Sequence, residues 1–387
     1  MLLLQGCVEE IDFNTATLES ALVVEATLTN ELKQQQIRLS RTYEFEEEGP
    51  TAESGAIVSL DTSNGAIVFE ESSIPGLYTS TSEFAAQANI DYQLRIATSD
   101  GKSYTSTPTQ MVAEIPIDNL YAERVTTDFG DDGVSIFVDS FDPTGSADYF
   151  RYEYEETYKI IAPLWNSTSM IEVTDPPCGV MLGIRKQEER ICYNTVASTD
   201  VNLVSTSGLS ESRVQRHLVR FLDEDNYIIS HRYSILVRQY VQSLEAYTYF
   251  RLLDELSGSE SLFSQNQPGF FEGNIRSETK AEEKVVGFFE VSSVSERRLY
   301  FNYVDFYPGE PLPPYPSGCT EFAPEPATLV PGVCGPLVIG IRRNELRYIR
   351  LNDMPNEAFP GPFFVVARAC GDCTALGTNS VPDFWVD

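Results

Sequence analysis

The closest pair of thiols in the chain lies in Cys370-Gly371-Asp372-Cys373, a spacing found in redox-active disulfides and in halves of zinc sites. Redox catalysis requires a helix N-terminus that stabilises the thiolate. The following segment, which soon reaches Pro382, does not favour such a helix. A zinc ribbon would also need a second close pair of cysteines. We therefore interpret both cysteines as members of structural disulfides.

Cysteine usage points to an oxidising compartment. Apart from Cys7, the chain has an even set of cysteines, enough for three disulfides: Cys178, Cys192, Cys319, Cys334, Cys370 and Cys373. The sequence predicts a bond between Cys178 and Cys192, because they flank a plausible hairpin around Gly183. The partners of the other four stay open.

Three carboxylates crowd one short segment, Asp128-Phe129-Gly130-Asp131-Asp132-Gly133, and calcium prefers such oxygen ligands. An EF-hand loop, however, requires Asp or Asn where Gly130 stands and Glu where Asp139 stands. Asp128, Asp131 and Asp132 are thus weak calcium candidates, and the segment is more typical of a solvated hairpin turn. No metal or cofactor is predicted.

Catalytic motifs are missing from the sequence. The histidines are His217 and His231, which are 14 positions apart rather than the three or four that would place both on one helical face. The sequence contains no G-x-S-x-G, phosphate-binding loop, dinucleotide fingerprint or H-E-x-x-H motif. We predict that the protein has no enzymatic activity. The alternatives are a surface hydrolase that attacks glycan or peptide through a carboxylate pair, and an adhesion or scaffold protein.

The charge balance excludes one class of partner. The chain has 27 Lys and Arg against 58 Asp and Glu, a net charge of −31 at pH 7. Such a surface repels phosphate backbones, so nucleic-acid binding is not expected.

The segment Leu4-Gln5-Gly6-Cys7 resembles a bacterial lipobox, in which a signal peptidase cuts before a cysteine that becomes acylated. Residues 1–6 would then be the remnant of a signal peptide, with a late start or a trimmed beginning. Three acids follow Cys7, namely Glu9, Glu10 and Asp12, as in the signal that sends Bacteroidota lipoproteins to the outer face of the outer membrane. We expect Cys7 to be the lipid anchor and residues 7–18 to be a tether.

Alternating apolar residues predict an antiparallel β-sandwich over residues 19–113, either immunoglobulin-like or transthyretin-like. Leu22, Val24, Ala26 and Leu28 alternate, and Ser63-Asn64-Gly65 and Ser99-Asp100-Gly101 supply tight turns.

A second β-sandwich is predicted over residues 114–387, carrying a helical insertion at about 208–262. The helix prediction depends on a stripe at helical spacing: Tyr233, Val237, Tyr240, Leu244 and Tyr247. Nine of the 29 residues from Pro308 to Pro336 are proline, so this stretch cannot form a sheet ladder. We expect its cysteines to staple it to the fold.

Short motifs along nearly the whole chain resemble one family of Bacteroidota lipoproteins known only as a domain of unknown function. These motifs are Cys7 with Ile11-Asp12, Leu22-Val23-Val24-Glu25-Ala26, Gly76-Leu77-Tyr78, Asp91-Tyr92-Gln93-Leu94, Gly273-Asn274-Ile275, Gly287-Phe288-Phe289-Glu290-Val291-Ser292, Cys370-Gly371-Asp372-Cys373-Thr374, Gly377-Thr378-Asn379 and Pro382-Asp383-Phe384-Trp385.

The resemblance implies an outer-membrane lipoprotein, often encoded beside a SusC/RagA-like TonB-dependent transporter and without an established enzymatic activity. It supplies no functional residues. Together with Cys7, it suggests a non-enzymatic protein of the cell exterior that serves as an accessory or ligand-capturing subunit of such a transporter or of another outer-membrane complex.

Overall fold

The structure, a computed structural model, describes residues 20–42, 49–173, 178–257, 272–330 and 332–387. Strands dominate the described chain, which confirms the predicted mainly β fold class. The strands of the first part are β1 (Leu22–Thr29), β2 (Gln36–Arg41), β3 (Thr51–Ala52), β4 (Ile57–Thr62), β5 (Gly65–Glu71), β6 (Leu77–Ser80), β7 (Tyr92–Ala97) and β8 (Ser103–Ser106).

The remaining elements follow in chain order. The strands are β9 (Asn119–Thr126), β10 (Asp132–Asp142), β11 (Tyr149–Ile161), β12 (Thr168–Val173), β13 (Gly179–Ile184), β14 (Ile191–Ala197), β15 (Asn202–Ser205), β16 (Ser212–Asp223), β17 (Arg232–Val241), β18 (Ile275–Ser277), β19 (Val285–Asn302), β20 (Leu346–Leu351) and β21 (Phe363–Ala367). The helices are α1 (Leu244–Ser257), α2 (Tyr303–Phe306), α3 (Pro336–Arg342) and α4 (Arg368–Gly371), with 3₁₀ turns at Tyr227–Ile229 and Cys373–Ala375.

Chain contacts divide the molecule into two compact units. Unit 1 is built from the described residues within Met1–Glu114, Ser146–Phe150 and Tyr240–Val294, and unit 2 from those within Ile115–Gly145, Arg151–Gln239 and Ser295–Asp387. The predicted division into 19–113 and 114–387 differs from this arrangement, because two later segments return to the first unit. A sequence-local argument could not find them, since they join unit 1 through pairing distant in the chain.

Unit 1 contains a sheet in the order β19-β1-β2-β6-β5-β4-β7-β8-β18. β1 pairs in parallel with β19 and antiparallel with β2. The predicted alternation is present in β1, where Leu22, Val24 and Leu28 are buried in the core of this unit. Whether two sheets face each other as in a sandwich stays a prediction.

The predicted helical insertion over 208–262 is wrong for most of its length. β16 and β17 occupy its first part, and α1 begins only at Leu244. In β17, Tyr233, Ser234 and Ile235 are all fully buried, so both faces of the strand are covered. A strand buried on both faces loses its two-residue alternation, and its apolar residues can then match a helical spacing by chance.

Unit 2 combines an antiparallel sheet β16-β10-β9 with the hairpins β12–β13 and β20–β21. From Arg151 onward, β11 pairs antiparallel with β14. Aromatic side chains fill much of its interior, with Tyr152 and Tyr233 almost completely buried.

Three disulfides join distant parts of unit 2: Cys178–Cys334, Cys192–Cys373 and Cys319–Cys370. The predicted bond between Cys178 and Cys192 is therefore wrong. Gly183 is not at a turn but inside β13, opposite Ser169 of β12, so the hairpin that would have brought these two cysteines together does not exist.

The proline-rich stretch is stapled as expected. Cys319 ties it to α4 through Cys370, and Cys334 ties it to the start of β13 through Cys178. Its strand contacts in the described residues are isolated bridges at Phe322 and between Ala327 and Cys334. The disulfide-stapled segment of the predicted fold is thus confirmed.

One glycine makes the β1–β19 pairing possible. Gly287 lies opposite Val24 with φ +125°, and a Cβ there would stand 2.0 Å from the Val24 carbonyl oxygen. We expect Gly287→Ala to lower the local free energy of unfolding by about 3 kcal/mol, through overpacking and backbone strain. Hydrogen exchange of the β1 amides measures this change.

The matched control is Gly65→Ala, because Gly65 has φ +118° and no described atom lies within 4 Å of the added Cβ. Backbone strain without a steric clash is expected to lower the free energy of unfolding of Gly65→Ala by about 1 kcal/mol. Equal losses in the two variants would contradict the close approach of β19 to β1.

Candidate functional site

The residues predicted to anchor and export the chain, Cys7 with Glu9, Glu10 and Asp12, lie outside the described residues. Among the described residues, no helix is long and apolar enough to cross a bilayer.

The weak calcium candidates lie at the turn between β9 and β10. The Thr127 amide donates to the Asp131 carbonyl, and the Asp131 carboxylate accepts from the Thr127 hydroxyl. Asp132 forms an ion pair with Arg124, whose bonds hold the pKa of that carboxyl below its usual value. This carboxylate is already neutralised by a guanidinium, whereas Asp128 is exposed. In the described part of the chain, no three His, Cys, Asp or Glu side chains are grouped to hold a metal ion.

The two histidines occupy separate surroundings. His217 lies on β16, contacts the Asn202 side-chain oxygen at 2.6 Å and packs against the Tyr152 ring. Burial lowers the pKa of His217, and burial followed by the charge of Lys159 lowers the pKa of His231. These surroundings favour the neutral form of both imidazoles.

A concave site lies in the disulfide-braced part of unit 2. It is a cavity of about 470 Å³, here called the arginine cavity. Its lining comes from the β12–β13 hairpin, the loop that follows β13, α3, the turn between α3 and β20, and β20 itself: Ser169, Met170, Ile171, Ile184, Arg185, Lys186, Gln187, Glu189, Ile341, Asn344, Leu346, Arg347 and Tyr348.

The disulfides hold these elements in place. Cys178 fixes the start of β13 to Cys334, just before α3. Cys373, bonded to Cys192, donates its amide to the Glu189 carbonyl and so fixes the end of the loop after β13. The cavity thus depends on bonds between residues that are far apart in the sequence.

Arg185 is the unusual side chain of this cavity. Only 5% of its side chain is exposed, and its Nη1 donates to the Glu189 carboxylate. The other two donor atoms, Nε and Nη2, are buried without a hydrogen-bond partner in the structure. Unpaired buried donors are uncommon in folded proteins and destabilise them, so each one requires an explanation.

Arg347 is the second buried cation of the cavity, and its guanidinium is hydrogen-bonded to polar neighbours. Its Nη2 donates to the Asn344 side-chain oxygen at 2.7 Å and to the Asp372 carboxylate. Burial lowers the pKa of Arg347, as do the charges of Arg185 and Arg368, and Asp372 opposes them.

Asp372 is the carboxylate that binds Arg347, and it is 1% exposed. Burial alone would raise the pKa of Asp372, but bonds from Thr374, Arg347 and Arg368 outweigh it and leave the pKa below its usual value. The Arg368 Nε lies 3.1 Å from Asp372, and the Thr374 amide donates to it at 2.9 Å. Asp372 thus stays charged and positions Arg347.

The cavity is positive in an acidic protein. Three of its lining residues are basic, Arg185, Lys186 and Arg347, and one is acidic, Glu189. Lys186 is exposed and forms no ion pair with the described residues. This local excess of cations contrasts with the net charge of −31 for the chain. The arrangement favours an anion.

Two other cavities in unit 2 are less suited to binding. One, of about 480 Å³, contains Arg213 and Arg216, but these cations already pair with Glu211 and Glu123 and lie over aromatic rings. The other, of about 420 Å³, has its Lys159 paired with Asp387.

A glycosidase site needs two acids that face each other across a substrate. Each of these three cavities is lined by a single acidic residue: Glu189, Glu211 or Asp387.

The sequence analysis missed Arg185, Lys186 and Arg347. A weak signal was available, because Arg185-Lys186 is a basic pair between two cysteines in a strongly acidic chain. The approach of Arg347 to this pair could not be predicted without the disulfide partners.

Residues 8–298 match the model of a family described as Domain of unknown function (DUF4249). No curated protein matches the chain.

Proposed function

Since the chain belongs to this family, whose description gives no activity, we propose from its own residues that it is a non-enzymatic, lipid-anchored protein of the outer-membrane surface that captures a small ligand. It would pass this ligand to a SusC/RagA-like TonB-dependent transporter or to another outer-membrane complex of Bacteroidota. The observation that carries ligand capture is the arginine cavity, where Arg185 keeps two buried donors without a partner.

Two features of the sequence support the location. Leu4-Gln5-Gly6-Cys7 has the residues of a lipobox, and Glu9, Glu10 and Asp12 supply the acids of a surface-export signal. Acyl chains on Cys7 would contribute about 0.8 kcal/mol for each buried methylene group, enough for stable anchoring. The three disulfides fit the same location, because such bonds persist outside the reducing cytosol.

The chemistry of the cavity supports capture rather than turnover. Two of its cations, Arg185 and Arg347, are held in place by Glu189 and Asp372, and both histidines lie outside its lining. Cations fixed in this way can orient a bound anion without transferring a proton, because arginine stays charged in proteins.

Cys7→Ala is expected to release the protein from the membrane fraction when the variant is produced in its native cell, because the acceptor of the acyl chains is removed. Globomycin should make an unprocessed precursor of the unaltered protein accumulate. Membrane fractionation and mass measurement of the N-terminal peptide check both results.

The matched control is Gly6→Ala, which keeps a small residue before the cleavage site and should leave anchoring unchanged. Replacing Glu9, Glu10 and Asp12 with their amides should keep the lipid but remove accessibility to protease added outside the cell. Cys7→Ala that still fractionates with the membrane would overturn the anchor, and failure to co-purify a β-barrel would overturn the transporter partner.

A further inference from the structure

We propose that the arginine cavity binds an organic anion, a molecule with an apolar body and one carboxylate or phosphate ester group, and that Arg185 grips two oxygens of that group. This inference rests on the proposed function, whose ligand it assigns to a chemical class. It is carried by the unpartnered edge of Arg185 together with the charge and lining of the cavity.

The free donors of Arg185 lie on one edge of its guanidinium. Nε–H and the neighbouring Nη2–H point in parallel, which matches the two oxygens of a carboxylate or a phosphate. The remaining nitrogen, Nη1, is held by Glu189, so the group is fixed with its other edge unpaired. A planar, pre-oriented donor pair loses little entropy when an anion binds.

Energetics favours an anion over a neutral ligand. A buried donor without a partner destabilises the fold, and it does so more strongly when the group is charged. An anion that supplies two acceptors removes this penalty at both Nε and Nη2. Lys186 and Arg347 add positive potential at the same cavity, whereas Glu189 is the one acid of its lining.

The rest of the lining suits an apolar body. Met170, Ile341 and Leu346 are partly buried at the cavity, and Tyr348 is 8% exposed. Ile184, next to Arg185, is 84% exposed and can be covered by a ligand.

Water does not reach Nε or Nη2 of Arg185, so binding requires side chains of the cavity wall to shift. Lys186 and Ile184 are exposed and therefore have room to move.

The test uses the full-length chain and the fluorescent probe anilinonaphthalene sulfonate, an apolar ring system with one anionic group. N-phenylnaphthylamine, which lacks the sulfonate, is its neutral counterpart. We expect the anionic probe to bind at least about tenfold more tightly than the neutral probe, the discrimination typical of a desolvated charged pair. Decanoate and decyl phosphate should displace the anionic probe, and decanol should not; the stronger competitor of the two identifies the acidic group.

Variants locate the binding. Arg185→Met should lower the affinity for the anionic probe by about tenfold or more. Arg185→Lys should bind the probe more tightly than Arg185→Met, because it keeps the charge but not the paired donors. Lys186→Met, at an exposed position, should weaken binding by about threefold. Arg276→Met is the matched control: it removes one exposed cation from β18 of unit 1 and should change nothing.

The outcomes of these measurements either support or overturn the proposed anion site. Unchanged binding of the anionic probe to Arg185→Met would overturn the proposal, and so would equal binding of the two probes. If Arg185→Met does not fold, an equal effect of Lys186→Met and Arg276→Met would overturn it. If the neutral probe binds and the cavity variants weaken its binding, the ligand is not an anion, but the proposal that the cavity captures a ligand stands. None of these probe measurements tests the Cys7 anchor.

Discussion

Hydrogen exchange measured with and without dithiothreitol is expected to increase only in unit 2, most strongly over residues 308–336. All three disulfides lie in this unit, and no cysteine occurs among the described residues of unit 1. Among its described residues, the proline-rich stretch forms only isolated bridges, so its order depends on Cys319 and Cys334. The strands β1 to β8 should keep their protection.

The size of the effect follows from the loops that the bonds close. The paired cysteines are 51, 156 and 181 residues apart in sequence. Each bond taken alone then contributes about 4 to 5 kcal/mol by restricting the unfolded chain. Cys192 and Cys373 are both fully buried, so their bond should be the last to be reduced.

Thiol labelling without reductant provides the control. The native protein should show none of these six cysteines as free thiols, and only Cys7 of an unprocessed chain could react. Several reactive cysteines would refute the disulfide assignment and weaken the argument for an oxidising compartment. Exchange that rises equally in β1 would contradict the independence of unit 1 from the disulfides.

Strands β1, β4 and β7 of unit 1 could be predicted because one face of each is buried and the other is more exposed. Val58 and Leu60 of β4 are fully buried while Ile57 is 72% exposed, which leaves a two-residue period in the sequence. β17 gave no such period, since its two faces are both covered, and a helix was wrongly predicted there. Periodicity identifies a strand only when its two faces meet different surroundings.

The arginine cavity could not be predicted from the sequence for a different reason. Arg185 follows β13 and Arg347 lies on β20, and the bond from Cys178 to Cys334, which braces this part of the fold, joins residues 156 apart in sequence and has no local signature. The family resemblance, in contrast, was predicted from short motifs and agrees with the match of residues 8–298 to a domain of unknown function. That resemblance supplied no site residues, so the cavity had to come from the structure.

Asp372→Asn is expected to lower the free energy of unfolding of unit 2 by about 3 to 5 kcal/mol, the cost of leaving a buried charge without its partner. The amide keeps the shape of the side chain and can still accept from the Thr374 amide. It removes the negative charge that faces Arg347, whose side chain is 14% exposed, and Arg368. Both tryptophans, Trp165 and Trp385, lie in unit 2, so urea unfolding followed by their fluorescence reports this change.

The pH dependence gives this prediction a second readout. The pKa of Asp372 is lowered in the folded protein, so its charge stabilises the fold at pH values above the unfolded-state pKa, about 3.9. This contribution is lost as the pH falls through the lower, folded-state pKa. The difference in stability between the unaltered protein and Asp372→Asn should therefore be full near pH 7 and shrink below about pH 4.

Glu321→Gln is the matched control in the same unit, because Glu321 and Arg350 form an ion pair with exposed fractions of 31% and 55%. An exposed pair of this kind contributes about 0 to 1 kcal/mol, and salt screens it. If Asp372→Asn and Glu321→Gln cost the same, Asp372 does not hold Arg347 in a buried network. The position of Arg347 would then have to be explained by packing of β20 against α4.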